Sequence, residues 1–116
     1  MSLRRRSIFA YPALATFPAR AGTWPERPLH IVVPFAPGGS GDISARLVGK
    51  YIEDRTGQPV VVDNKPGANG IVGALAVKGA PADGYTVMLA TASTHAANPH
   101  MYRSLPYDPE IGRAHV

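Results

Sequence analysis

Leu29-His30-Ile31-Val32-Val33-Pro34-Phe35-Ala36-Pro37-Gly38-Gly39-Ser40-Gly41-Asp42 is the stretch on which the fold turns. Its first five residues form a short apolar, β-branched run ended by a glycine-rich turn, so Leu29–Val33 reads as a buried strand. From Asp42 the period becomes helical. Ile43, Leu47, Val48, Tyr51 and Ile52 share one face, Arg46, Lys50, Glu53 and Asp54 take the other, and Gly57 stands where a C-terminal cap ends the helix. Residues 59–62 read as a second strand, 64–70 as a turn, 71–77 as a second helix of small residues, and 85–90 as a third strand after the Ala82-Asp83-Gly84 turn.

The order is β-α-β-α-β, and its strands are continuous apolar runs, as expected when helices cover both faces of a parallel sheet. The fold class is therefore α/β. Right-handed crossovers put the three strand-to-helix corners, residues 35–41, 63–70 and 91–98, together at the carboxyl ends of the strands, where open α/β sheets bind ligands.

In the first corner Gly38, Gly39 and Gly41 allow a tight turn that exposes backbone N–H groups at a helix start, an arrangement that favours an anion. Gly38 and Gly39 could equally only make the turn, with Asp42 capping the helix. Catalytic motifs miss here by one position each. No lysine follows the glycines as a P-loop requires. Ser44 stands where a dinucleotide fingerprint needs its last glycine, and Asp42 follows Ser40-Gly41 where a nucleophile elbow would differ. An α/β enzyme acting on an anionic substrate at residues 38–42, with Ser40 and His95 in a triad, is the alternative reading.

The second corner, Asp63-Asn64-Lys65-Pro66-Gly67-Ala68-Asn69-Gly70, offers amides to a polar ligand or is simply a capped turn, which Pro66-Gly67 would explain. The third, Thr91-Ala92-Ser93-Thr94-His95-Ala96-Ala97-Asn98, gathers neutral donors that suit a carboxylate. His95 and His100 do not share a helix face and no acidic cluster joins them, so neither a metal nor another cofactor is expected. Trp24 and Tyr107 read as packing residues at the domain edge.

Both ends read as foreign to the folded unit. Arg4, Arg5 and Arg6, the apolar run from Ile8 to Phe17 and the small-x-small site Ala19-Arg20-Ala21 have the layout of a secretory signal peptide over residues 1–21. Arg5-Arg6 leaves the Sec and twin-arginine routes both open, and the apolar run is too short to anchor the chain in a membrane. Residues 110–116 can be encoded by GAG-ATC-GGA-AGA-GCA-CAC-GTC, which apart from its first base is a common sequencing-library adapter. These seven residues are accordingly expected to be read-through. Of 12 Lys+Arg and 8 Asp+Glu, the ends hold Arg4, Arg5, Arg6, Arg20, Arg113 and Glu110, so residues 22–109 are neutral overall. The high isoelectric point thus belongs to the leader, and neither nucleic-acid binding nor membrane insertion after cleavage is expected. With no cysteine, disulfide staples are excluded.

Trp24-Pro25-Glu26-Arg27-Pro28, Ile31 to Gly39 with Asp42 and Ala45-Arg46, Gly57 to Ala68, Ala82-Asp83-Gly84-Tyr85-Thr86, Thr94-His95, Asn98-Pro99 and Leu105-Pro106-Tyr107-Asp108-Pro109 resemble, in order, the opening of the Bug-type solute receptors of tripartite tricarboxylate transporters. Phe35-Ala36-Pro37 and Asp63-Asn64-Lys65 stand where Phe-Pro-Pro and Glu-Asn-Arg are commoner. The resemblance implies a periplasmic, non-enzymatic binding protein of type II fold, with residues 22–109 forming part of its first lobe. It implies a small carboxylate ligand, a di- or tricarboxylate, amino acid or aromatic acid, delivered to membrane permease subunits. Carried over by position, its contacts are Gly38, Gly39, Ser40 and Asp42, then Ala68 and Asn69, then Thr91, Ser93, Thr94 and His95.

Overall fold

A computed structural model describes residues 22–109; the expected leader, 1–21, and the expected read-through, 110–116, lie outside the described residues. In chain order they form β1 (Leu29–Val33), α1 (Ser40–Thr56), β2 (Val60–Asn64), a 3₁₀ turn (Ala68–Gly70), α2 (Ile71–Lys78), β3 (Thr86–Met88), a π-helical turn (Ser93–Ala97) and α3 (Asn98–Met101). The three strands make one parallel sheet in the order β2-β1-β3. The α/β class and parallel topology expected from the pattern are what the chain adopts.

β1 is the central strand, and its Leu29, Ile31, Val32 and Val33 are buried. Alternation sends Ile31 and Val33 to one face, where they meet Ala45 of α1 together with Val60, Val62 and Leu89. Pro34 points the other way. A Cβ on Gly73 of α2 would lie 3.0 Å from Pro34 Cβ, so α2 covers the opposite face at close range.

β2 continues through Asp63 and Asn64, beyond the expected end at Val62, because both polar side chains find partners at the sheet's rim. Asp63 Oδ2 meets His30 Nδ1 at 3.1 Å, and Asn64 Nδ2 donates to the Phe35 carbonyl at 3.1 Å. β3 is shorter than residues 85–90 by ladder geometry. Its flanks still pair with β1, through His30 N–H to Tyr85 O at 2.8 Å and Leu89 N–H to Val32 O at 2.9 Å.

The larger correction concerns α1. Most of its apolar stripe faces away from the sheet: Ile43, Leu47, Val48 and Tyr51 are 61%, 72%, 52% and 59% exposed and Ile52 is half-buried, while Asp42, Ala45 and Gly49 are buried. Close approach selects small residues over apolar ones here, since a Cβ at Gly49 would already stand 3.1 Å from Val60 Cγ1. Gly57 ends the helix as expected, with φ 74° and its N–H on the Glu53 carbonyl at 2.8 Å. At the edge, Trp24 is exposed but tilts against Tyr85, which also carries the Arg27 guanidinium over its ring at 4.1 Å. Tyr107, by contrast, is buried.

Candidate functional site

At the carboxyl ends of the strands, Pro34, Phe35, Ala36, Pro66, Gly67, Asn69, Gly70, Thr91 and Ser93 line a cavity of about 260 Å³. All three corners contribute to it. Asn69, Thr91 and Ser93 are the candidate residues it brings together.

Gly38, Gly39 and Ser40 do not line this cavity; they lie exposed on the approach to α1, which follows its Phe35-Ala36 wall in the chain. Gly39 is the N-cap and no side chain caps the helix there, so its first amides are left to solvent or a ligand at the positive end of a 17-residue helix. Asp42 is differently placed. It is buried, and its Oδ2 accepts the Gly38 N–H at 2.9 Å, while Arg46 Nε lies 3.0 Å from Oδ1 and Asn64 Nδ2 donates to Oδ1 at 3.1 Å. The Gly38 N–H first, then Arg46 and Asn64, hold its carboxyl down to a pKa of about 2. Asp42 is thus the post on which the glycine corner hangs, ionised and already engaged.

In the second corner Ala68 and Asn69 take left-handed backbone, φ 47° and 55°, followed by Gly70 at φ 88°. Only glycine fits at position 70, because a Cβ there would fall 2.3 Å from Thr94 Cγ2. That proximity brings the second corner against the third.

The third segment is not a loop, as expected from its composition, but is helical from Ala92. Thr91 and Thr94 cap each other: Thr94 N–H donates to Thr91 Oγ1 at 3.2 Å and Thr91 N–H to Thr94 Oγ1 at 3.1 Å, the reciprocal geometry of a capping box. Asn98 N–H then reaches back to Ser93 O, the wider spacing of a π turn. Pro99 has no N–H to offer to the preceding turn, which favours this break in the regular ladder. Thr94 is fully buried, and its hydroxyl meets His95 Nδ1 at 2.7 Å. Among the described residues no group of three or more His, Asp or Glu side chains could hold a metal ion.

Four residues outside the expected ligand contacts organise this rim: Arg46 and Asn64 around Asp42, and Asn98 and Tyr107 behind the second and third corners. Asn64, a polar residue closing an apolar strand, was a readable signal. Asn98 reads from sequence as a donor of the third corner and Tyr107 as a packing residue; their bonds to Asn69, to Thr94 and to each other join positions apart in the chain.

Residues 44–113 match the model of the tripartite tricarboxylate transporter family receptor. The chain belongs to this family. Its members are solute-binding receptors rather than enzymes. The chain is similar to protein BugT of Bordetella pertussis, 43% identical over 101 residues that cover 86% of the chain and 31% of BugT. Among solved structures it superposes on Rhodopseudomonas palustris Rpa4515 with adipate at a TM-score of 0.70 and 43% identity, covering 74% of this chain and 29% of that one. It matches MatC of the same organism, with bound malate, at 0.70 and 37% identity, covering 75% and 30%. Against these receptors the chain spans about a third of their length.

Proposed function

We propose that residues 22–109 form part of the first lobe of a two-lobe periplasmic receptor, which binds a small carboxylate and delivers it to the membrane subunits of a tripartite tricarboxylate-type transporter. The observation that carries this reading is the convergence of three strand-to-helix corners on one cavity, the first of them running on into an uncapped helix N-terminus. That two members of the family hold adipate and malate supports a carboxylate as the ligand class. Gly39 and Ser40 would meet one carboxylate through backbone N–H groups, with Asn69, Thr91 and Ser93 closing around it. Gly38, Asp42, Ala68, Thr94 and His95 would shape the corners that present them.

Affinity depends on more than this lobe. A micromolar dissociation constant needs about 8 kcal/mol, whereas a charge-assisted hydrogen bond contributes roughly 1.5–3 kcal/mol before the cost of association. Calorimetry with malate and adipate tests the reading. The full-length receptor should bind at least one dicarboxylate at micromolar concentration, and residues 22–109 alone should bind far more weakly. Absence of carboxylate binding by the full-length protein would refute the proposal.

A further inference from the structure

Behind the rim lies a largely buried polar cluster that links the exposed Asn69 of the second corner to the third. Asn98 and Thr94 are fully buried and Tyr107 is nearly so. The Asn98 amide spends both of its donor hydrogens here, one on the Asn69 carbonyl at 3.1 Å and one on Tyr107 Oη at 3.1 Å, while its Oδ1 accepts from Asn69 Nδ2 at 2.7 Å. Tyr107 Oη in turn donates to the Thr94 carbonyl at 2.7 Å. A hydroxyl that donates to a carbonyl must accept from Asn98, so the nitrogen of the amide faces Tyr107 and the orientation of the whole cluster is determined.

Two local irregularities depend on this cluster. In the π turn, Asn98 N–H goes to Ser93 O, so the Thr94 carbonyl loses the ladder donor four residues on, and the Tyr107 hydroxyl supplies a replacement. In the second corner, two non-glycine residues, Ala68 and Asn69, sit in left-handed backbone, which costs free energy unless neighbours over-determine it. The paired bonds, Asn98 Nδ2 donating to the Asn69 carbonyl and Asn69 Nδ2 donating to Asn98 Oδ1, do so.

We propose that Asn98 and Tyr107 are positioning residues for ligand binding: they lock the Ala68-Asn69 corner to the Ser93–Ala97 turn, so that Asn69, Thr91 and Ser93 face one cavity before a ligand arrives. This rests on the proposed carboxylate-binding function. Without the lock, the competent arrangement of the rim is only one of several, and apparent affinity falls by the fraction lost.

The test uses the full-length receptor with malate and adipate as probes, comparing wild type with Tyr107→Phe and Asn98→Asp, at a temperature where circular dichroism shows all three folded. Each variant should weaken binding about ten-fold or more, as expected if the competent population drops to roughly a tenth. Adding Ala68→Gly to Tyr107→Phe or Asn98→Asp should recover part of that loss, because glycine holds left-handed backbone without help. A lowered melting temperature with unchanged affinity would overturn the proposal, as would failure of Ala68→Gly to rescue either variant. Hydrogen exchange provides a ligand-independent arm: amides of residues 68–70 and 93–95 should exchange faster in both variants, and unchanged exchange would also overturn it. Should the wild type bind neither acid, the proposed function falls on that result alone, and the exchange arm still decides whether the lock exists.

Discussion

Asp42 shows how a residue that looks like a ligand can instead be the support for one. Its carboxylate is held ionised by the Gly38 N–H, Arg46 and Asn64, with a pKa near 2 against an ordinary 3.8. A folded-state pKa below the unfolded one stabilises the fold above the unfolded value, and that stabilisation disappears as the pH falls through the folded one. Asp42 should therefore contribute fully above about pH 4, progressively less toward pH 2 and nothing below it. Asp42→Asn should be less stable at neutral pH and lose the acid-sensitive component in that window; urea titrations of both proteins from pH 5 to 2 would show it, and parallel pH profiles would contradict it. Gly70 makes a second residue-scale case. Gly70→Ala places a Cβ against Thr94 Cγ2 on left-handed backbone, so it should destabilise by roughly 2–4 kcal/mol. Thr94→Ser in the same chain should return part of this by deleting the methyl group.

At the level of elements, α1 illustrates what a sequence pattern can and cannot say. The change of period at Asp42 and the Gly57 cap placed the helix correctly, and the apolar run Leu29–Val33 placed β1 to the residue. The buried face does not coincide with the apolar stripe. Hydrophobicity marks Ile43, Leu47, Val48 and Tyr51, but the distance between helix and sheet is set by Ala45 and Gly49, and a moment analysis gives small residues little weight. Gly49→Val should accordingly cost roughly 1–3 kcal/mol through overpacking against Val60, whereas Leu47→Ser should fall within about 0.5 kcal/mol of wild type in residues 22–109. Equilibrium denaturation of the two variants distinguishes this packing from the reverse. The rim on which the candidate site is proposed was legible at the same level. Parallel topology alone brings the three corners to one rim, and they do line a single cavity. That Thr91 and Thr94 would fold the third corner into a helical turn was hidden, because reciprocal capping depends on hydroxyl geometry. The Asn69-Asn98-Tyr107 cluster was hidden because residues 29 and 9 positions apart meet only in the folded chain.

For the molecule as a whole, the described residues supply a rim. The sheet orders its strands β2-β1-β3, so the corners after β2 and β3 flank the corner after β1, and α1 directs its N-terminus to the middle. A charged group meeting that arrangement gains from exposed amides and the helix dipole but remains open to water, which weakens each contact. Closure by the proposed second lobe would remove the water, and on that proposal affinity should belong to the full-length receptor. A crystal structure of that receptor with a dicarboxylate bound tests the central claim most directly. One carboxylate should lie within hydrogen-bond distance of the backbone N–H groups at residues 39–40 and of Thr91 or Ser93, with Asn98 and Tyr107 behind it and out of contact. A ligand held elsewhere, with this rim closed over by apolar side chains, would contradict it.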